Sequence, residues 1–545
     1  MKPDAYGQTD FKDFADFAHS YRFEKTGDFN FAFDCIDRMA QSEPDKTAMV
    51  WCDDKGNHMT YTFAQISAYS DAAARFFASA GISQGDPVML VLKRRTQFWF
   101  AVLGLMKLGA VAIPTTHLLV EEDIVYRNNA ASVAAILTTD DENIMDAVDG
   151  SLPQSPTVRR RLKLGGERPG WLSFDAGLHT FMEGEALPRV TRNEDMMLLY
   201  FTSGTTGMPK MVAHNYVYPL AHIGTARHWH ALHPGSLHLT AADTGWAKAA
   251  WGKLYGQWLC GAAIFVYDHE RFDVHRLLTV MSRHKVTSFC APPTIFRVLA
   301  NADLHAYDLS ALEHLTSAGE PLSETVFRQI QTKTGLSIHE AYGQTETTPL
   351  VMTSRYTEPR PGSIGKPNPA YDLLFLDENG QEVPCGAEGE LCVRARRGDL
   401  GLFMGYYRDD AMSDYVWRGG VYHTGDMAYQ DEDGYVWFIG RADDIIKSAG
   451  YRIGPFEVES VLIKHPAVLE CAVTAAPDPM RGQVVKASVI LAEGYEASEK
   501  LKRALRAHVR SLTSAYKVPR IVEFVETFPK TISGKVQRAA MRKNG

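Results

Sequence analysis

The chain has 545 residues, 45% of them hydrophobic, which is enough to bury a sizeable core in more than one domain and is typical of an enzyme. Its 57 Lys and Arg residues against 65 Asp and Glu residues give a formal charge of −8, which excludes a general attraction for nucleic acid or an anionic membrane. The seven cysteines form no CxxC pair and no metal-like cluster with histidine, and no apolar segment is long enough to span a bilayer, so we expect reduced thiols in a cytoplasmic protein, with oligomerisation left open.

Apolar runs alternate with helical stretches along most of the chain. Residues 88–92 (VMLVL) predict a buried strand, and the helical stretch that follows is closed by Gly109. The runs AAILTTD, AAIFVYD and TSFCAPP repeat this pattern and end in polar or proline-rich tips, where α/β proteins usually bind ligands. Residues 152–188 predict a loop-rich excursion. The alternation indicates an α/β fold.

A second region begins after about Arg441. Several strand-like runs and the helical stretch 500–511 follow one another within about 100 residues, which is the size of a small separate domain. We therefore expect an N-terminal domain over residues 1–440 and a C-terminal domain over 441–545.

The segment YFTSGTTGMPK predicts a phosphate-binding loop that is not a Walker A motif. Lys210 lies between Pro209 and Met211, whereas a Walker A lysine follows glycine and precedes Ser or Thr. The segment still supplies a cation, glycines and hydroxyl groups, which are suited to holding phosphate. The glycines and hydroxyl residues are Gly204, Gly207, Thr202, Ser203, Thr205 and Thr206.

Six motifs occur in order over more than 300 residues: YFTSGTTGMPK, SAGEPL, EAYGQTE, HTGD, GRADDIIKSAGYRIGP and PKTISGK. Together they resemble the adenylate-forming superfamily, which includes acyl-CoA synthetases, adenylation domains of peptide synthetases and luciferases. The resemblance extends from about Phe31 to Arg542. It implies an N-terminal domain of doubly wound sheets plus a distorted β-barrel, and a small mobile α+β C-terminal domain.

The resemblance also implies ATP and Mg²⁺ as ligands. Tyr342 would stack on adenine, Asp426 and Arg441 would bind the ribose, Thr345 would contact the α-phosphate and Glu346 would bind magnesium. Lys535 would bridge the acyl carboxylate and the α-phosphate, so the catalytic residues would be Lys535, Thr345 and Glu346. The implied ATP-binding residues are Thr202, Ser203, Gly204, Thr205, Thr206, Gly207, Met208, Pro209, Lys210, Gly319, Glu320, Pro321, Glu340, Ala341, Tyr342, Gly343, Gln344, Thr345, Asp426, Phe438, Arg441 and Lys535.

CoA is the second expected co-substrate. By resemblance, Asp443 is the hinge about which the small domain turns between two poses, and the second pose presents Ala449, Gly450 and Tyr451 to the pantetheine tunnel. An acidic protein needs local cations for the CoA phosphates. The candidates for this role are Arg452, Arg481 and Arg520.

Within the superfamily, the segments EEDIVYR, DTGWAKAAWGKLYGQWLCGA and PDPMRGQVVKA resemble medium-chain acyl-CoA synthetases. Acetyl-CoA synthetases close the acyl pocket with a tryptophan where this chain has Gly343, so we expect a longer pocket, lined by Gly343 and Trp246. Trp251, Lys248 and Lys253 depart from the apolar run usual in that group, and they leave a branched, aromatic or polar-tailed acid open.

The resulting prediction is an ATP-dependent acid:CoA ligase that forms an acyl-AMP intermediate and releases AMP and pyrophosphate. An aryl-CoA ligase and a free-standing enzyme that loads a carrier protein are the alternatives among enzymes. A nucleotide or acyl-adenylate sensor is the alternative without catalysis, and the presence of Lys535, Glu346 and Asp426 disfavours it.

Overall fold

The computed structural model describes residues 6–23, 27–202, 208–449, 451–531 and 536–543. The α-helices of this part are α1 (Phe14–Ser20), α2 (Arg38–Ser42), α3 (Phe63–Ser79), α4 (Gln97–Leu108), α5 (Glu121–Ala131), α6 (Glu142–Ser151), α7 (Phe174–Thr180), α8 (Tyr218–Gly224), α9 (Lys248–Lys253), α10 (Gly256–Leu259), α11 (Val274–Arg283), α12 (Pro293–Asn301), α13 (Glu324–Thr334), α14 (Asp410–Val416), α15 (Pro455–Leu462), α16 (Glu499–Leu512) and α17 (Arg538–Lys543). The β-strands are β1 (Thr47–Asp53), β2 (His58–Thr62), β3 (Pro87–Val91), β4 (Val111–Pro114), β5 (Ala135–Thr138), β6 (Arg160–Lys163), β7 (Leu172–Ser173), β8 (Met196–Thr202), β9 (Lys210–Asn215), β10 (Leu237–Thr240), β11 (Ala263–Asp268), β12 (Ser288–Cys290), β13 (His314–Ala318), β14 (Ile338–Tyr342), β15 (Val351–Met352), β16 (Lys366–Pro367), β17 (Asp372–Leu376), β18 (Gly389–Arg394), β19 (Gly405–Tyr406), β20 (Tyr422–Gln430), β21 (Val436–Arg441), β22 (Ile446–Ser448), β23 (Tyr451–Ile453), β24 (Val468–Asp478), β25 (Gly482–Leu491) and β26 (Ile521–Phe524).

Two large sheets confirm the expected α/β architecture. The first has the strand order β16-β15-β14-β13-β12-β10-β11-β1-β2 and is parallel from β14 to β1. The second has the order β19-β9-β8-β4-β3-β5-β6-β7 and is parallel from β8 to β7. Crossover helices fill the space beside both sheets, and side chains of β1, β3, β8 and β11 join those of α3 and α4 in one apolar core.

The sequence predicts the positions of some elements of the second sheet, among them strand β5 within the run AAILTTD. The buried strand β3 and the helix α4 lie where the apolar pattern predicts them, and Gly109 ends α4 in the left-handed conformation, with φ of 81°. The excursion at residues 152–188 is more ordered than expected, because Arg160 and Arg161 lie on β6 of the sheet. Arg161 contacts Asp149 of α6, so this basic segment is used in packing.

Two smaller sheets follow in the chain. The third sheet, β17-β18-β20-β21, is antiparallel and open among the described residues, where a distorted barrel was expected. One face of this sheet contributes to an apolar cluster that includes Phe375 and Tyr422. The edge strands β17 and β21 do not pair, so the sheet does not close. The fourth sheet joins β22 to β26 around the long hairpin β24-β25 and has its own core. The prediction of a small α+β unit at the C-terminal end agrees with this sheet.

In the described parts of the chain, no helix combines the length and the apolar character that crossing a bilayer requires.

Candidate active site

The predicted site lies at one edge of the nine-stranded sheet. β13 and β14 are parallel neighbours, and Ala318 pairs with the buried Ala341, so the carboxyl ends of both strands meet at the same edge. The turn after β13 begins at Gly319 and the turn after β14 at Gly343. Parallel sheets bind ligands at this edge because the turns there expose backbone and side chains from adjacent strands together.

Asp426 on β20 is the centre of a buried hydrogen-bond network. Its Oδ2 accepts from the Tyr342 hydroxyl at 2.5 Å and from Gln344 Nε2 at 2.6 Å. Gln344 also donates to the Thr424 carbonyl at 2.9 Å and accepts from the Tyr422 hydroxyl at 2.7 Å. Burial, together with Asp426, raises the pKa of Tyr342 well above its ordinary value, so the phenol remains a donor. The network fixes the end of β14 against the third sheet.

Arg441 and Phe438 on β21 extend this network. Arg441 is paired with Asp426 in the β20–β21 ladder, and its Nε lies 3.7 Å from Asp426 Oδ1 and 3.5 Å from Asp443 Oδ1. Burial alone would lower the pKa of Arg441, but the two carboxylates outweigh it and the pKa rises. The ring centroids of Phe438 and Tyr342 are 6.0 Å apart. A flat aromatic surface and a carboxylate therefore lie side by side.

The turn Gly319–Glu320–Pro321 forms a wall beside β14. Gly319 has φ of 105°, a conformation that side chains with a β-carbon rarely adopt. Behind the wall, Glu340 Oε2 accepts from the backbone N–H of Leu322 at 3.1 Å. Burial raises the pKa of Glu340 to about 8, although the hydrogen bond from Leu322 opposes the shift. Glu340 therefore supports the wall from behind.

Glu346 lies at the far end of the β14 turn, next to the predicted phosphate loop. Its Oε1 accepts from the Tyr406 hydroxyl at 2.9 Å, and the Lys210 ammonium lies 4.9 Å from the centroid of the Tyr406 ring. Burial and the charge of Glu346 raise the pKa of Tyr406. Lys210 is paired with Thr202 at the loop end of the β8–β9 hairpin. A carboxylate and a cation are thus brought to one place, as the motif order predicts.

The phosphate loop itself is only partly described. Met208 is exposed, and the carbonyl of Pro209 accepts from the Tyr126 hydroxyl at 2.9 Å. The other predicted loop residues, together with two predicted residues of the C-terminal region, lie outside the described residues. These are Ser203, Gly204, Thr205, Thr206, Gly207, Gly450 and Lys535.

Thr345 connects the turn after β14 to the second sheet. Its carbonyl is 2.8 Å from Nε2 of the buried His214 on β9, and the His214 ring stacks on Tyr218 of α8 at 3.9 Å. Burial lowers the pKa of His214 to about 4, so the ring is neutral and Nε2 carries the proton that Thr345 accepts. His214 and Tyr218 were not among the predicted site residues.

Gly343 does not open the volume that the sequence suggested. A β-carbon on Gly343 would lie 2.6 Å from the carbonyl of Thr348 and 2.6 Å from Cη2 of Trp251. Trp251 is a buried residue of α9, and its indole fills the space that the missing side chain leaves. The sequence flagged Trp251 as unusual, but the contact between two residues 92 positions apart depends on the fold.

The other residues singled out around α9 divide into two groups. Trp246 is half-buried in the turn before α9, and the Lys248 ammonium donates to the Ala318 carbonyl at the base of the Gly319 turn. Lys253 lies away from that turn, where its buried ammonium donates to the Ala242 carbonyl at 2.6 Å. Burial, with a smaller contribution from Arg94, lowers the pKa of Lys253 to about 7. Lys253 is therefore part of the packing of α9.

The predicted hinge and CoA residues lie on the fourth sheet and its approach. Asp443 is partly exposed next to Arg441. Ala449 has φ of 49° and donates its N–H to the carbonyl of Arg481 at 3.0 Å. The half-exposed Tyr451 ring stacks on Tyr516 at 4.2 Å.

The three predicted CoA-binding arginines differ in their surroundings, and Arg481 is half-buried with its backbone N–H donating to Asp478 Oδ1 at 2.8 Å. Arg452 forms an ion pair with Glu378, at the tip of the third sheet, and Lys447 lies 3.7 Å from the same carboxylate. Arg520 is exposed, and its carbonyl accepts from Arg506 at 2.8 Å. In this arrangement Arg452 is turned towards Glu378 and is separated along the sheet from Arg520 on the approach to β26.

Cys392 lies beside His423 and Glu390, so the expectation that no cysteine clusters with histidine is wrong. Cys392 and His423 face each other across β18 and β20, with Sγ and Nδ1 3.4 Å apart, and His423 Nδ1 is 2.9 Å from Glu390 Oε2. Glu390 also accepts from the Gly425 N–H at 3.0 Å and lies 3.4 Å from Arg418. His423 and Arg418 balance the charge of Glu390, and the hydrogen bond from the Gly425 N–H lets Glu390 support the HTGD turn.

Comparison with known proteins places this geometry in context. Residues 36–407 match the family model described as AMP-binding enzyme, and residues 457–535 match the model described as AMP-binding enzyme C-terminal domain. The chain is 38% identical over 550 residues to acyl-coenzyme A synthetase ACSM3 of Mus musculus, covering 98% of this chain and 93% of that protein. It is 40% identical over 528 residues to acyl-coenzyme A synthetase ACSM5 of the same organism, covering 94% and 90%.

Solved structures give the same picture. The anthranilate CoA ligase AuaEII in complex with anthranoyl-AMP matches with a TM-score of 0.85 and 30% identity, over 95% of this chain and 97% of that one. The acyl-CoA synthetase of Brucella canis matches with a TM-score of 0.72 and 32% identity, over 98% and 97%.

The curated relatives ACSM3 and ACSM5 are named as mitochondrial, so the predicted cytoplasmic location is wrong. That prediction was drawn from unpaired cysteines, and the described cysteines are indeed free thiols. Free thiols indicate a reducing environment, and this property does not single out one compartment.

Proposed function

The chain belongs to the family of AMP-binding enzymes and is an acyl-CoA synthetase, and from this premise we propose how its residues carry the reaction. It is an ATP-dependent acid:CoA ligase. The carboxylate of the acid attacks the α-phosphate of ATP to give acyl-AMP and pyrophosphate, and the CoA thiol then displaces AMP to give the thioester.

The buried network around Asp426 carries the assignment of the nucleotide site. A carboxylate is a natural acceptor for two adjacent ribose hydroxyls, and Tyr342 and Gln344 hold this one in a fixed orientation. Adenine lies against the Tyr342 ring, with Phe438 behind it and the Gly319 turn opposite. Because the acceptor is already oriented by neutral donors, the site is preorganised for a nucleoside.

The phosphates extend from this network towards Thr345, Lys210 and the loop at residues 202–210. Glu346 is suited to Mg²⁺, because a carboxylate oxygen is a ligand that Mg²⁺ prefers, and because Tyr406 orients this carboxylate through Oε1 and leaves Oε2 for the ion. When bound, Mg²⁺ would neutralise charge on the leaving pyrophosphate. Lys210, next to the Tyr406 ring, adds a second positive charge on the same side.

The C-terminal part, residues 441–545, acts as the mobile domain, with Asp443 as the hinge and residues 1–440 as the adenylation domain. The separate core of the fourth sheet supports this division. Lys535 carries adenylation from the mobile domain. We expect Lys535→Ala to abolish acid-dependent pyrophosphate exchange and to leave thioester formation from supplied acyl-AMP largely intact. Equal loss of both half-reactions would contradict this division of labour.

The acid is a medium-chain, branched or related carboxylic acid, as the resemblance of the whole chain to the ACSM proteins supports. An aryl acid is the second candidate. It is favoured by Trp251, because the edge of its indole occupies the space in front of Gly343 and leaves less depth for a flexible chain.

A panel of acids from acetate to dodecanoate, with benzoate and branched acids, tests the proposal. The expected result is acid-dependent release of AMP that requires CoA and yields acyl-CoA. AMP release that requires a carrier protein instead of CoA would favour the loading enzyme, and nucleotide binding without turnover of any acid would favour a sensor.

A further inference from the structure

Three buried polar atoms surround the turn that carries the reacting end of the site. They are Nε1 of Trp251, the hydroxyl of Tyr218 and Nδ1 of His214, and none has a hydrogen-bond partner within the described residues. The side chains of His214 and Tyr218 are fully buried and Trp251 is 6% exposed.

These groups form one continuous wall. His214 stacks on Tyr218 and binds the Thr345 carbonyl through its other ring nitrogen. The edge of the Trp251 indole meets Gly343, two positions earlier in the same turn. The wall therefore faces the position at which the acid joins the α-phosphate in the proposed function.

Among the buried tryptophans of the described residues, Trp251 and Trp417 have an Nε1 without a hydrogen-bond partner, and of these two Trp251 lies at the proposed site. Four other buried tryptophans donate Nε1–H to backbone carbonyls: Trp51 to Arg94 at 2.9 Å, Trp99 to Lys253 at 2.7 Å, Trp229 to His339 at 3.0 Å and Trp258 to Ala48 at 2.8 Å. A buried donor without an acceptor costs free energy comparable to a lost hydrogen bond, so such atoms at a binding site indicate a polar ligand.

Trp251 is also held in place by its backbone. Its carbonyl accepts from Gln257 Nε2 at 3.0 Å and lies 3.3 Å from His230 Nε2. The indole is thus positioned before the acid arrives. Its contact with Gly343 limits the depth available to an acyl chain, which favours a compact acid.

A simpler alternative is that Trp251 and Tyr218 satisfy each other. Burial raises the pKa of Tyr218 well above its ordinary value, and the nearby Trp251 N–H lowers this pKa by a smaller amount. However, the two atoms do not form a hydrogen bond of normal geometry in the described structure. If they paired only with each other, removing either group would change stability and leave the choice of acid unaffected.

We propose that Trp251 Nε1–H and the Tyr218 hydroxyl bind a neutral oxygen substituent of the acid, so that the enzyme prefers a compact hydroxy or keto acid to its unsubstituted counterpart. This inference rests on the proposed function, because it assumes that an acid is activated at the Gly343–Thr345 turn.

The test measures kcat/KM for matched acids: benzoate against its three hydroxy isomers, butyrate against 3-hydroxybutyrate, and pentanoate against 4-oxopentanoate. We expect at least one oxygenated acid to be preferred by tenfold or more over its partner, because a site built for a hydrogen bond discriminates strongly against ligands that lack it. Trp251→Phe and Tyr218→Phe remove one polar group each and retain a ring. Either variant should lower the preference ratio at least fivefold.

Trp258→Phe is the matched control, because it removes an N–H that is bound to Ala48 and not placed at the site. It should leave the preference ratio unchanged. Equal use of both acids in every pair by the unaltered enzyme, or an unchanged ratio in both variants, would overturn the inference alone. Failure of every acid to release AMP would overturn the proposed function instead.

Discussion

The two sides of the active site differ in how their buried polar groups are satisfied. On the strand side, Tyr342, Gln344 and Asp426 bind one another in a network that is closed before any ligand is present. On the helix side, formed by α8 and α9, Tyr218 and Trp251 have no partner within the described residues. In the proposed function, the strand side binds the nucleotide. On the helix side, the proposed acid supplies the hydrogen-bond partners of Tyr218 and Trp251.

The largest expected effect comes from breaking the strand side at its centre. Asp426→Ala removes the acceptor of two buried donors and the partner of Arg441. Hydrogen bonds to charged groups contribute about 1.5–3 kcal/mol each, so we expect kcat/KM for ATP to fall by about 100-fold or more. Acid-dependent pyrophosphate exchange measures this loss.

Asp433→Asn is the control for that measurement, since Asp433 is an exposed residue in the turn between β20 and β21. It should change kcat/KM for ATP by less than about twofold, as is usual for surface substitutions. An Asp426→Ala enzyme that retains a tenth or more of its kcat/KM would mean that the ribose is bound elsewhere.

The sequence assigned Tyr342, Asp426 and Arg441 to one nucleotide site, and the structure brings these three side chains together. Tyr342, Asp426 and Arg441 belong to short motifs, each set by one strand end, and the pairing of β20 with β21 brings two of these motifs into contact. The helix side could not be predicted in this way. The contact of Trp251 with Gly343 joins α9 to the turn after β14, and no local pattern specifies the distance between them.

The second prediction tests the junction between the two sides. Gly343→Ala places a methyl group within 2.6 Å of both Trp251 and the Thr348 carbonyl, so we expect the free energy of unfolding to fall by about 1–3 kcal/mol. In a Trp251→Leu background part of this cost should disappear, because a smaller side chain makes room. Chemical denaturation of the four proteins gives the coupling energy.

A coupling near zero would show that the Thr348 carbonyl alone causes the clash and that Trp251 does not restrict the space at Gly343. The acid panel adds a second measurement. If Trp251 limits depth, Trp251→Leu should raise kcat/KM for longer acids relative to shorter ones, and the unfolding of a fraction of the protein cannot produce such a gain.

The third prediction concerns pH and the wall of the nucleotide side. Burial raises the pKa of Glu340 to about 8 from an ordinary value of 4.5, so between these pH values the folded protein keeps a proton that the unfolded chain has lost. The free energy of unfolding should then decrease as pH rises through this window, by at most about 1.4 kcal/mol per pH unit, and stop decreasing above it. Glu340→Gln should remove this slope.

The comparison requires denaturation of both proteins at pH 6 and pH 7. Glu320→Gln is the control, because Glu320 lies on the turn that Glu340 supports and is partly exposed. It should keep the slope of the unaltered protein. A constant difference in stability between the unaltered protein and Glu340→Gln across the window would mean that Glu340 is ionised in the folded state.

Two other predictions from the sequence were wrong for the same physical reason that the contact of Trp251 with Gly343 was not foreseen. Arg160 and Arg161 were expected in a loop, but β6 pairs with β5 and gives these charged residues a place in the sheet. Cys392 and His423 are 31 residues apart in sequence and meet because β18 pairs with β20. In each case the pairing of strands, which side-chain periodicity does not specify, decided the outcome.

The smallest expected effect lies outside both sides of the site, where Arg452 and Lys447 bind Glu378. All three side chains are well exposed, so Glu378→Gln should change the free energy of unfolding by less than about 1 kcal/mol. If Arg452 must leave Glu378 to bind a CoA phosphate, the substitution should nevertheless lower the KM for CoA, by at most about fivefold. Adenylation should be unaffected, because neither Arg452 nor Glu378 belongs to the nucleotide network.

Glu382→Gln is the control, because Glu382 is an exposed residue close to Glu378 in sequence, and this substitution should change neither half-reaction. An unchanged KM for CoA in Glu378→Gln would mean that Arg452 remains on the third sheet during thioester formation, and Arg481 or Arg520 would then be the better candidate for the CoA phosphates.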